Sequence, residues 1–65
     1  IWSSKDVVRR LVSDGWTKVA QDGSHAKFKH PGKAGHVIVA LPRREIPRGT
    51  LKSIFHQAGW EWPPD

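Results

Sequence analysis

The sequence predicts an α+β domain of order α-β-β-β-α, a three-stranded antiparallel sheet with two helices on one face and its other face open. Three observations predict it. Apolar residues recur at helical spacing near each end of the chain, short runs of strand formers lie between them, and turn signals at Asp22-Gly23 and at 31–35 separate those runs. A chain of 65 residues holds one small core, so residues 1–65 read as a single domain with a C-terminal tail at 60–65. No internal repeat or low-complexity segment is present.

The first helix is expected from about Ser4 to Asp14, because Val7, Val8, Leu11 and Val12 form one stripe while Lys5, Arg9, Arg10 and Asp14 fall outside it. Ser3 and Asp6 have the spacing of a capping box, Trp2 can staple against Val7, and Gly15 supplies a left-handed stop. A strand follows from Trp16 to Gln21. Asp22-Gly23 then turns the chain into a second strand, Ser24 to His30, antiparallel to the first. A period of two places Ala26, Phe28 and His30 on one side of that strand and His25, Lys27 and Lys29 on the other. Phe28 marks the core side, so His25 is expected to face outward.

After the turn Pro31-Gly32-Lys33-Ala34-Gly35, the run His36 to Leu41 reads as the third strand, with Val37, Val39 and Leu41 toward the core; Pro42 ends it. The loop Pro42-Arg43-Arg44-Glu45-Ile46-Pro47 leads into a second helix from about Pro47 to Ala58. Its stripe is Leu51, Ile54, Phe55 and Ala58, and Gly59 stops it. Arg48, Lys52 and His56 occupy a different face. The prolines of Trp60-Glu61-Trp62-Pro63-Pro64-Asp65 forbid further helix, and the two tryptophans there are suited to docking on the core or on a partner.

Composition narrows the function. There is no cysteine, hence no disulfide framework or thiolate metal site, and an intracellular, cytoplasmic location is favoured over a secreted one. No apolar run approaches the roughly 18 residues of a membrane span, and the stretch after Ile1 does not resemble a secretory signal. Methionine is absent throughout, so the native start is expected to lie outside this sequence. A P-loop and a dinucleotide-binding glycine pattern are both missing, and so small a chain leaves no room for a buried cofactor. The net charge is +5, yet between Gly23 and His56 seven basic residues face one acid, Glu45. That concentration is the footprint of a polyanionic partner such as RNA, although a basic surface also serves simply to keep a small domain in solution.

His25 is the candidate catalyst. A neutral imidazole removes a proton near physiological pH, RNA carries its own 2′-OH nucleophile, and Lys27 and Lys29 stand where cations would stabilise the charge of the transition state. The Arg43 and Arg44 loop, with Arg48 and Lys52 on the second helix, are candidate phosphate contacts. Gly23 and Ser24 read as turn and positioning residues. Nucleophilic chemistry by Ser24 is disfavoured, since neighbouring strand residues point to opposite faces and no orienting acid is evident. His30 and His36 flank one turn, but without a third ligand they make a poor metal site and read as structural or surface residues. His56 reads as a surface residue. A surface histidine with no chemistry remains the alternative for His25 while the residues are taken alone.

The chain resembles the HicA toxins, small mRNA endonucleases of bacterial toxin–antitoxin pairs, over nearly its whole length. Three blocks carry the resemblance: Ser4 to Asp14 leading into Gly15-Trp16; Gly23-Ser24-His25 with Phe28-Lys29-His30-Pro31; and Ile46-Pro47-Arg48-Gly49-Thr50-Leu51-Lys52-Ser53-Ile54 running to Gln57-Ala58-Gly59. The resemblance implies a fold like a double-stranded RNA-binding domain, His25 as the catalytic histidine of an mRNA interferase, and a HicB-type antitoxin that blocks the active site; the leading expectation is a metal-independent endoribonuclease. The family often has a polar residue after that histidine, where this chain has Ala26, and the tail from Trp60 extends past the family's usual end. The expectations against which these stand are a non-catalytic RNA-binding module of the same fold and a basic protein-interaction domain.

Overall fold

A computed structural model describes residues 2–64. Its elements are α1 (Ser4–Ser13), β1 (Thr17–Asp22), β2 (His25–Lys29), β3 (Val37–Ala40) and α2 (Arg48–Ala58). The strands form one antiparallel sheet in the order β1-β2-β3, the α-β-β-β-α arrangement read from the sequence.

The predicted capping box starts α1. The Ser3 N–H donates to Asp6 Oδ2 at 2.9 Å, and the Asp6 N–H donates to Ser3 Oγ at 3.2 Å. The Ser3 N–H bond, followed by one that the Ser3 hydroxyl donates to the same oxygen at 3.0 Å, holds the Asp6 carboxyl below the usual carboxylate range. Val7 and Leu11 are buried and Val8 is half-buried, but Val12 is 59% exposed. The apolar stripe is therefore narrower than expected, because Val12 lies about 100° beyond Leu11 on the helix. Ser4, polar but seven residues before Leu11 and so on the same side of the helix, is buried with Val7 and Leu11.

The hairpin turn falls one residue later than expected. Asp22 pairs with His25, so Gly23 and Ser24 form the two-residue turn, Gly23 supplying a φ of +60° at its first central position. Ser24 is thus a turn residue and not part of β2. A bulge at Val19, between Lys18 and Ala20, interrupts the pairing. β1 is exposed along its whole length, because both helices pack chiefly on β3 at the opposite edge of the sheet and leave this edge strand uncovered. In β2 and β3 the alternation is regular: Ala26, Phe28, Val37 and Val39 are buried, while His25, Lys29 and Ile38 are exposed.

Between that sheet face and the helices lies the core, completed by Leu51, Ile54, Phe55 and Ala58 of α2 and by Trp16. Full burial of one such large side chain contributes about 1.5–3 kcal/mol. Ile46, which periodicity did not mark, is also buried, and its N–H bonds the Trp2 carbonyl at 2.8 Å. Gly59, with φ +75°, ends α2 as expected. The tail folds back: Trp60 and Trp62 set their rings edge-on against Phe55 at 5.1 and 5.3 Å, and Trp2 does the same at 5.2 Å.

Candidate functional site

Strand register builds the site on the open face of the sheet. Residues directly opposite one another share a face. His25 lies between Asp22 of β1 and Ala40 of β3, Lys27 between Ala20 and Ile38, and Lys29 faces Thr17. His25, Lys27 and Lys29 therefore stand in a row on the middle strand, flanked mainly by small side chains. The Ser24 carbonyl accepts the Leu41 N–H, which ties the turn to the end of β3 and fixes the entry of His25 into the sheet.

Asp22 was missed in the sequence, where no acid stood out beside His25. The signal was present: once a two-residue turn is assigned to Gly23-Ser24, its flanking residues must pair across the hairpin.

Arg43 and Arg44 are exposed in the loop that leaves β3. Ser4 clamps that loop: its N–H donates to the Arg43 carbonyl at 2.8 Å, and its hydroxyl accepts from the Arg43 N–H at 2.8 Å. Arg48 and Lys52 are placed apart from the lysine row, in the helical layer behind the sheet. The Arg48 guanidinium lies over the Trp62 ring at 5.1 Å, and Lys52 is exposed.

His30 is held from three sides. The Gly32 N–H donates to Nδ1 at 2.9 Å, which leaves Nε2 to carry the ring proton and donate to the Asp14 carbonyl, also at 2.9 Å. Its ring packs against Trp16 at 5.4 Å. This agrees with a structural role. His36 and His56 are exposed. Among the described residues no group of three or more His, Cys, Asp or Glu side chains could hold a metal ion.

A second polar centre, not visible in the sequence, surrounds Asp14. Its Oδ2 accepts the indole N–H groups of Trp60 at 3.0 Å and Trp16 at 3.2 Å, and Lys33 Nζ lies 3.6 Å away. The Trp60 bond, then the Trp16 bond, with smaller help from Lys33, hold this carboxyl below the usual range. Lys33 also donates to the Ala58 carbonyl at 2.7 Å, so this cluster joins the ends of both helices.

The family described as HicA toxin of bacterial toxin-antitoxin matches residues 4–60 of the chain. Among solved structures, the chain is similar to one titled HicA3 and HicB3 toxin-antitoxin complex, with 26% sequence identity and a TM-score of 0.70 over 94% of this chain and 98% of that chain. No curated protein matches its sequence.

Proposed function

The chain belongs to the HicA toxin family, and from that premise we propose that it is the toxin of a type II toxin–antitoxin pair, a metal-independent endoribonuclease that cleaves mRNA. The observation that carries this reading is the row of His25, Lys27 and Lys29 on the open face of the sheet. An RNA strand laid along the row brings a phosphodiester to the imidazole and its non-bridging oxygens to the lysines. The nucleophile is the RNA's own 2′-OH, so the protein has to align it, move a proton through His25 as general base or acid, and stabilise the added negative charge. Asp22 and the Ser24 turn border the histidine, and Arg43 and Arg44 continue the positive surface beyond β3.

The same face suits a HicB-type antitoxin. Ile38, 39% exposed beside Lys27, offers a protein an apolar contact within a basic surround. A partner seated there excludes RNA from His25, as the resemblance to a toxin–antitoxin complex suggests.

The test is cleavage of RNA by purified protein in excess chelator, together with the His25→Ala variant. The wild type is expected to cleave, and the variant to lose cleavage by at least about 100-fold while keeping the circular dichroism and melting temperature of the folded protein. Full activity in the variant would remove His25 from the mechanism. Tight RNA binding without cleavage by the wild type would leave an RNA-binding module.

A further inference from the structure

A groove of about 490 Å³ separates the first turn of α1 from the loop after β3, lined by Ser3, Ser4, Lys5, Pro42, Arg43 and Arg44. Its volume is within the range of about 300–1,000 Å³ common for ligand sites. Three of the six lining residues are cationic and none is acidic, so the occupant it complements is an anion.

Two features make the groove a defined surface. The Ser4 clamp on both backbone groups of Arg43 holds the loop at a set distance from α1, and Ser4 is buried. The Ser3 and Asp6 N–H groups at the start of α1 are already used in the capping box, so an anion here would be held by the side chains of Lys5, Arg43 and Arg44. The groove also begins close to His25 along the backbone. Ser24, next to His25, is tied to Leu41, and Pro42 follows directly as the first wall of the groove.

We propose that this groove is a second RNA subsite, which takes the backbone of a single strand running on from His25, with Lys5 as a phosphate contact that the sequence did not single out. The proposal rests on the ribonuclease reading above. Single-stranded RNA is the occupant because a groove walled on both sides takes one strand, with Pro42 offering an apolar surface to a sugar or base between the cations.

The test uses the His25→Ala background, in which RNA stays intact, and measures binding of a labelled single-stranded RNA across a salt series. Lys5→Ala is expected to weaken binding about three- to tenfold and to reduce the slope of log affinity against log salt by about 0.7, the loss of one phosphate contact on a single strand. Lys5→Glu should weaken it further. Lys18→Ala, which removes an equal charge from the helix-facing side of β1, is the control and should leave binding unchanged. In the active protein, Lys5→Ala should raise KM for a long RNA and leave kcat alone.

Lys5 is exposed, so folding is not at risk. Affinity and salt slope equal to the Lys18 control would overturn the subsite, as would a Lys5 effect seen only with duplex RNA or only with an antitoxin protein. The two readings fail separately. Retained cleavage by His25→Ala would remove the catalyst, and the subsite would then stand or fall on the KM of Lys5→Ala in the active protein, whereas silent Lys5 variants beside an inactive His25→Ala would remove only the subsite.

Discussion

His25 opens β2 and His30 directly follows its last residue, yet the two differ in almost every respect that governs a histidine's use. Both ring nitrogens of His30 are engaged, one by the Gly32 N–H and the other by the Asp14 carbonyl, and its ring meets Trp16 at a steep angle. His25 is exposed at the mouth of the hairpin, with lysines along its own strand. An imidazole locked on both nitrogens cannot exchange a proton without breaking the contacts that hold it, whereas one at an open surface can. The comparison teaches that the number of histidines near a basic patch says little; the partners of each nitrogen decide which one is available for chemistry.

The sharpest way to break the comparison is to exchange the effects of the two residues. His25→Ala should abolish cleavage with little change in stability. His30→Ala should do the reverse, lowering stability by about 1–3 kcal/mol as it removes the hydrogen bonds to the Asp14 carbonyl and the Gly32 N–H, while the folded fraction still cleaves. Thermal melts and cleavage assays on both variants decide it; loss of activity in folded His30→Ala would make His30 more than a structural tie.

Gly15 refines the point. Its φ is +94°, and a Cβ there would come 2.9 Å from His30 Nε2. Gly15→Ala should cost about 1–3 kcal/mol from backbone strain and from pushing the pinned ring aside. In a His30→Ala background the steric part disappears, so the combined loss should be smaller than the sum of the two single losses. Strict additivity in chemical denaturation would show that the ring and Gly15 do not press on one another.

The smallest expected effect is on pH dependence. The Asp14 carboxyl titrates below its ordinary 3.8 because the folded state favours its charged form. Its contribution to stability is thus present above about pH 4 and is lost as the pH falls through the lowered folded value. Asp14→Asn should flatten this part of the acid limb while leaving the contribution of Asp6 in place. An unchanged acid limb, measured by denaturant melts from pH 2 to 6, would show that the Trp60 and Trp16 bonds do not favour the charged form.

Much of the site could be read along the chain because it is built from local rules. The alternation through Ala26 and Phe28 was enough to turn His25, Lys27 and Lys29 outward, and Ser3 with Asp6 marked the start of α1. What escaped depends on distant partners. Asp22 joins His25 only through the register of the turn, Ser4 finds its hydrogen-bond partner only when the Arg43 loop returns to it, and Asp14 gathers Trp60 and Lys33 from far along the sequence. Val12 was misplaced for a related reason, since its exposure depends on how far the packed layers extend.

By itself, the sequence determined the order of the elements, the face on which His25 stands and the family to which the chain belongs, because periodicity, caps and short motifs act between near neighbours. Tertiary structure alone decided which histidine is bound and which is free, how the basic loop is clamped beside α1, and that the tryptophan tail closes over Phe55. Those outcomes rest on hydrogen bonds and ring contacts between residues far apart in the chain, and such pairings exist only once the layers have packed.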